Sequence, residues 1–289
     1  VNEGGALRSQ DLRTSGDPVS FDGAMLRVNP DTGAAFAGNP LAGGAIADDD
    51  RIISYGYRNP FRFTIDPLTG AIWVADVGWN EWEEINYIPN PTASVSNFGW
   101  PCYEGPARQG GYDAANIPIC ENLYTDGTAQ SPYYSYAHNG GSKAVSAIGL
   151  YRGTNFPSAY DGALFFGDYT QGWIRVMAPG TNGLPDTNNI TDFIPSGAYP
   201  VDIKIGSNGA LYYVDVVEGT VHQISYFTVN TPPTAKATSN TDAGALPLTV
   251  NFSGSESIDP DVGDTLSYAW DLDGDGAFDD STAVAPSFT

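Results

Sequence analysis

Asp271-Leu272-Asp273-Gly274-Asp275-Gly276-Ala277-Phe278-Asp279 carries carboxylates at its first, third, fifth and ninth positions and glycine at its sixth. Side chains at that spacing can curl round one hard cation, and the sixth-position glycine permits the sharp turn. The twelfth position is Thr282 and no helical pattern flanks the loop, so an EF-hand is excluded. A calcium-bound turn and a solvated acidic turn both stay open. The chain has two imidazoles. His138, in Tyr136-Ala137-His138-Asn139-Gly140-Gly141, reads as a turn residue with some reach towards a central cavity, and His222 as a surface residue. Asp76, Asp168 and Asp215 recur at one repeat position, which argues for turn capping rather than catalysis. Cys102 and Cys120 stand 18 residues apart in a Gly-, Pro- and Asn-rich stretch. They read as a disulfide stapling a long loop or as two thiols, and the disulfide is favoured.

The elements that position these residues follow from a repeat. Gly70-Ala71-Ile72-Trp73-Val74-Ala75-Asp76 returns as Gly162-Ala163-Leu164-Phe165-Phe166-Gly167-Asp168, then as Gly209-Ala210-Leu211-Tyr212-Tyr213-Val214-Asp215. The steps are 92 and 47 residues, a period near 46 with one copy blurred. Each copy reads as turn glycine, apolar strand, aspartate, break and second strand: Glu84–Ile88, Trp173–Met177 and Thr220–Tyr226. Such a unit cannot bury its own apolar face and must stack on its neighbours. Four-stranded units of this length are propeller blades. Inner strands are expected at Phe61–Asp66, Ala147–Tyr151 and Val201–Ile205, and the earlier runs Gly23–Asn29 and Arg51–Tyr57 also read as strands. Pro89–Gln130 reads as a loop-rich insertion, the kind that is usually functional or a packed lid.

The net charge is −22, with lysine only at Lys143, Lys204 and Lys236. Nucleic acid binding relies on a cationic surface and is excluded as a partner. No run of eighteen apolar residues exists, so no membrane span is expected. The Pro-Pro segment within 227–237 marks a domain boundary, giving a propeller over residues 1–228 and a second domain over 229–289. In that second domain Leu248–Phe252 and Ser267–Asp271 alternate as sandwich strands do. Both ends read as cut, as in a fragment or a processed product.

Tyr55-Gly56-Tyr57-Arg58-Asn59-Pro60-Phe61-Arg62-Phe63, Asp76-Val77-Gly78-Trp79-Asn80-Glu81-Trp82-Glu83-Glu84-Ile85-Asn86 and Asn97-Phe98-Gly99-Trp100-Pro101 resemble the glucose/sorbosone dehydrogenase family over about residues 1–226. The resemblance implies an all-β, six-bladed-type β-propeller whose N-terminal blades lie outside this chain. It also implies sugar C1 oxidation with pyrroloquinoline quinone (PQQ) and Ca²⁺, by hydride transfer to the quinone and proton transfer to a histidine base. Arg58 and Asn59 match the pair beside the cofactor, where a forked guanidinium suits carboxylates and carbonyls. Without the family, Arg58 reads as a member of a structural hydrogen-bond network. Gly78 and Trp79 match the carbonyls that hold the cofactor calcium, and Glu84 with the Phe98 carbonyl matches a second, structural calcium site. Several positions depart from the family. Phe61 stands where the PQQ enzymes have glutamine, Trp79 replaces the usual proline, Asp168–Gly172 has no lysine and Ala198–Asp202 has no arginine. The catalytic residue is unassigned, since the family's histidine would precede Val1.

The second domain resembles a PKD β-sandwich, from Pro232-Pro233 through Ser255–Asp261 to Tyr268-Ala269-Trp270-Asp271, with Trp270 as core anchor and a truncated C-terminal end. In it Asp271, Asp273, Asp275 and Asp279 are the candidate calcium ligands. The expectation is a secreted sugar dehydrogenase-like protein, extracellular, at the cell surface or periplasmic, acting on a sugar or glycan. The alternative is a non-catalytic carbohydrate-binding, adhesion or surface-assembly protein. In that case Trp73, Trp79, Trp82, Trp100 and Tyr103 form a sugar platform or simply blade packing, and other chains complete or pack on the propeller.

Overall fold

The computed structural model describes residues 5–14, 18–44, 48–226, 230–261 and 264–289. The chain divides into two compact units, Val1–Ile224 and Ser225–Thr289. The boundary expected at 228/229 falls outside the described residues.

The first unit is built almost wholly of antiparallel strands. β1 (Ala24–Leu26) pairs with β2 (Ile52–Tyr55). β3 (Pro60–Ile65), β4 (Ile72–Asp76) and β5 (Trp82–Ile88) follow as a meander. β6 (Ser96–Asn97) returns to lie parallel to β2. The hairpin β7 (Tyr103–Glu104) and β8 (Ala107–Arg108) leads into two short helices, α1 (Gly110–Ala114) and α2 (Pro118–Asp126). The stretch expected to be loop therefore holds helix, with Pro118 at the first turn of α2 and Gly127 in the left-handed conformation at its end. β9 (Tyr134–Ala137) completes the β3–β4–β5 sheet as its fourth strand. β10 (Val145–Leu150), β11 (Leu164–Asp168), β12 (Trp173–Pro179) and β13 (Pro185–Ile194) form a second four-stranded meander. β14 (Pro200–Ile205), β15 (Leu211–Asp215) and β16 (Thr220–Ile224) form a third sheet on the same plan.

The repeat seen in the sequence is a repeat of register. Gly70, Gly162 and Gly209 have φ of +76°, +88° and +76°, where a side chain is strained. Asp76, Asp168 and Asp215 end the middle strands opposite Pro60, Val145 and Pro200, and each inner strand has a bulge directly after that residue. Oδ1 of Asp76 accepts from the Asn59 N–H at 2.6 Å. Oδ2 of Asp168 accepts from Ala144 at 3.1 Å, and Oδ2 of Asp215 from Tyr199 at 2.9 Å. Bulges of this kind re-aim the residues beside them and recur next to functional sites.

Strand alternation then stacks the sheets. Ile72 and Val74 face Met25, Ile53 and Tyr57, whereas Trp73 and Ala75 face Val145, Ile148 and Phe166. Phe165 turns the other way, towards Ile203, Leu211 and Tyr213. Strands buried on both faces need apolar residues at every position, which is why these runs lack polar alternation.

In the second unit β18 (Val250–Ser253) lies between β17 (Thr238–Ser239) and β19 (Ser287–Phe288). The strand expected over Ser267–Asp271 is reduced to one bridge, Trp270 to Ser281. The chain turns there because Asp280 Oδ2 takes the N–H groups of both Leu272 and Asp273. Trp270 lies 6.0 Å from the Phe252 ring and donates its indole N–H to Ala283 O at 2.8 Å.

Candidate functional site

The start of β3 presents Arg58 and Asn59. Asp76 fixes their backbone by accepting both N–H groups, at 3.0 and 2.6 Å. The Arg58 Nη1 donates to the carbonyls of Val77 and Gly78 at 3.0 and 2.7 Å, and its guanidinium lies 6.0 Å from the Trp100 ring. Only glycine fits at position 78, because a Cβ would stand 1.5 Å from the Trp82 carbonyl oxygen. Trp79 is 51% exposed and meets Trp100 edge-on at 6.0 Å. Phe61 is exposed under the Arg62 guanidinium, and Trp73 is buried against Tyr87 and Tyr133. Trp82 and Tyr103 are half-buried.

Glu83 joins this turn to the next sheet. Its buried carboxylate takes His138 Nε2 at 2.6 Å, the Val145 N–H at 2.8 Å and the Gly78 N–H at 3.3 Å. Burial raises its pKa. His138 is buried as well, so the turn residue expected from sequence is half of a buried acid–imidazole pair. His222 is partly exposed and stacks on Tyr213 at 4.6 Å.

Beneath Gly78 lies a concentration of buried acid. Glu104 Oε1 accepts four successive backbone N–H groups, Trp79 to Trp82, at 2.8 to 3.2 Å. Glu84 accepts from the Gly105 N–H at 2.5 Å and from Asn86 Nδ2 at 3.1 Å. Two of the cluster's buried oxygens, Glu104 Oε2 and Asn86 Oδ1, have no partner. Burial, and then repulsion from Asp76, push Glu84 up to about 8, and burial pushes Asp76 up to about 7. Buried carboxylates without a cation are costly, and orphaned oxygens beside them cost more. Carboxylate and amide oxygens are the ligand types that a hard divalent cation takes. Sequence reasoning named Glu84 and missed Asn86 and Glu104. Asn86 was findable, being two residues along the same strand and so on the same face. Phe98 packs in the core, 5.0 Å from the Tyr57 ring.

In the acidic loop of the second unit the carboxylates that converge are those of Asp271, Asp273 and Asp280. Asp271 takes the N–H groups of Gly274 and Gly276, at 2.7 and 3.0 Å, and Asp275 takes that of Ala277 at 2.7 Å. Asp275 and Asp279 are not in the converging set. Asp259, Asp261 and Asp264 there, and Asp215, Glu218 and His222 in the first unit, also bring ligand atoms together.

Cys102 and Cys120 form a disulfide, buried with Leu123 between the β7 hairpin and α2. No helix among the described residues is long and apolar enough to cross a membrane. A cavity of about 500 Å³ opens at the far ends of the inner strands, lined by Ile65, Leu150, Arg152, Ile203 and Lys204 among others. Its cations are already neutralised, Arg152 by Asp66 and Asp161 and Lys204 by Asp202. The opposite end, at Arg58, is therefore the candidate site.

Aldose sugar dehydrogenase YliI of Escherichia coli (strain K12) is 30% identical over 167 residues, covering 57% of this chain and 41% of the relative. A solved structure of the soluble aldose sugar dehydrogenase from Escherichia coli, in the apo-form, superposes with a TM-score of 0.53 at 24% identity, over 75% of this chain and 56% of that one. A structure described as glucose dehydrogenase gives a TM-score of 0.54 at 23% identity, over 71% of this chain and 55% of that one. These likenesses show a shared, mostly β fold. The chain spans about two-fifths of the curated relative and just over half of each structure. The model of the family described as glucose/sorbosone dehydrogenase matches residues 5–221, and the chain belongs to that family.

Proposed function

We propose that the first unit is part of a PQQ- and Ca²⁺-dependent dehydrogenase that oxidises aldose sugars, with Arg58 and Asn59 beside the cofactor. The observation that carries this reading is the pairing of Arg58 with the Gly78 carbonyl, within a chain whose family match spans both. When bound, the quinone supplies hydride acceptance from the sugar carbon, and Ca²⁺ supplies polarisation of the quinone oxygens.

This chain's own residues do the positioning. Asp76 fixes the backbone of Arg58 and Asn59, and Arg58 offers a permanent charge to an anionic ligand. The Gly78 and Trp79 carbonyls are the proposed ligands of the cofactor calcium. Glu84 with Asn86 and Glu104 is the proposed structural site, where the two orphaned oxygens support a cation. The Phe98 carbonyl is kept from the resemblance as a further ligand. The exposed Trp79, backed edge-on by the buried Trp100, offers an aromatic face to a sugar ring. No residue here is assigned as the catalytic base. The meanders are read as blades of a six-bladed-type propeller, and the second unit as a PKD-like spacer with calcium at its acidic loop. The disulfide supports an oxidising location, secreted or periplasmic.

The test is aldose-dependent reduction of an artificial electron acceptor after loading with PQQ and Ca²⁺. Turnover by the full-length protein supports the reading, and none by it at saturating PQQ, Ca²⁺ and sugar overturns it. The exposed Trp79 favours a second reading, sugar binding without oxidation. Saturable sugar binding with no acceptor reduction would select it.

A further inference from the structure

Arg58 and Lys143 occupy the same position of the structural repeat. Pro60, Val145 and Pro200 each open an inner strand opposite the repeated aspartate, so the residues two places earlier, Arg58, Lys143 and Ala198, are equivalent. The residue between is fixed in each copy by the aspartate's bond to its N–H.

The charges at this position stand apart from the others. In a chain of net charge −22, Arg8, Arg13, Arg51, Arg62, Arg108, Arg152, Arg175, Lys204 and Lys236 each have a carboxylate within 4.0 Å. Among the described residues Arg27, Arg58 and Lys143 have none. Arg27 is taken up by Asn39 at 2.9 Å and by the Phe36 ring. Arg58 bonds only to backbone carbonyls, and the half-buried Lys143 Nζ lies 5.4 Å from the Tyr136 ring centre.

Lys143 is also held in place. The preceding Ser142 carbonyl accepts from Thr170 Oγ1 at 3.0 Å and Gln171 Nε2 at 2.8 Å, while the following Ala144 N–H is bound by Asp168. The two cations are linked through one chain of bonds, from Arg58 to Gly78 O, from Gly78 N to Glu83, and from Glu83 to Val145 N. A backbone fixed before binding lowers the cost of ordering a ligand contact.

We propose that Lys143 and Arg58 together hold a small polycarboxylate, with Lys143 supplying the second positive charge of the site. This rests on the reading of the site as a PQQ site and assigns its second cation. Ser142 grips the very turn, Asp168–Gly172, that has no lysine of its own, so the neighbouring loop brings the charge there.

The test is equilibrium titration of the protein with PQQ in Ca²⁺, followed by tryptophan fluorescence, with benzene-1,3,5-tricarboxylate as a second probe. Lys143→Ala is expected to weaken binding about tenfold, the scale of one charged hydrogen bond, and Lys143→Arg to restore most of it. Unchanged urea denaturation of both variants shows that the loss is local. Equal PQQ affinity of Lys143→Ala and the unaltered protein overturns the assignment and leaves the PQQ reading standing. Lys143-dependent binding of the tricarboxylate without any binding of PQQ supports the assignment and removes the PQQ reading. Binding of neither probe overturns both.

Discussion

Arg58 donates to the Gly78 carbonyl at 2.7 Å, so one guanidinium joins the start of an inner strand to the turn that carries the proposed calcium carbonyls. A second bond from the same nitrogen reaches Val77 O at 3.0 Å. Replacing Arg58 by alanine removes both bonds and leaves two carbonyls to water. The expected loss is about 2 kcal/mol in urea denaturation. Arg58→Lys, with a compact ammonium in place of the fork, is expected to recover about half of that stability and little cofactor affinity.

The buried acids give stability a pH dependence that calcium should reverse. Asp76 rises from 3.8 to about 7 and Glu84 from 4.5 to about 8, chiefly through burial. Folded values above the unfolded ones mean that the folded state holds the extra protons across that window. Metal-free stability is therefore highest on the acid side and falls as pH rises towards 8. Ca²⁺ favours the ionised carboxylates, so its addition at pH 8 should raise the melting temperature, and a chelator should cancel the gain. Glu84→Gln should flatten the pH profile and abolish most of the calcium response. A melting temperature indifferent to Ca²⁺ at pH 8 would remove the Glu84 site.

The disulfide joins residues 18 apart, enclosing the β7–β8 hairpin and α1 and pinning the first turn of α2. Chain entropy assigns such a bridge about 3 kcal/mol. The double variant Cys102→Ser/Cys120→Ser should lose an amount of that order in urea denaturation. The loss should be accompanied by faster proteolysis within 103–126, where the hairpin and both helices lean on the bridge.

In the second unit Asp280, and not Asp279, converges with Asp271 and Asp273, so the proposed calcium turn should depend on Asp280. Terbium luminescence, sensitised by the nearby Trp270, reads this directly. Asp280→Asn should weaken terbium binding at least fivefold, and Asp279→Asn should leave it within twofold, as one charged ligand is worth about 1 kcal/mol or more. Equal effects of the two substitutions would contradict the placement.

The middle strands were legible because burial on both faces forces unbroken apolar runs, ended each time by the same aspartate. β13 was not, since its pairing is to one neighbour only and Pro185-Asp186-Thr187-Asn188-Asn189 carries no apolar period. Arg58, Gly78 and Glu84 could be named from a local motif. Glu104 and Lys143 could not, because Glu104 acts on residues more than twenty positions earlier and Lys143 gains its meaning from strand register. The buried Glu83–His138 pair was hidden for the same reason, its members standing 55 positions apart. Local patterns mark elements, whereas a site assembled across sheets is fixed only once the sheets stack.

The account stands on cofactor binding at the Arg58 end of the inner strands. Spectral titration of the protein with PQQ in Ca²⁺, set beside Arg58→Ala, measures it most directly. A saturable shift of the quinone band that needs Ca²⁺ and is lost in Arg58→Ala is the predicted result. A spectrum that stays the sum of free PQQ and protein at every concentration would contradict it.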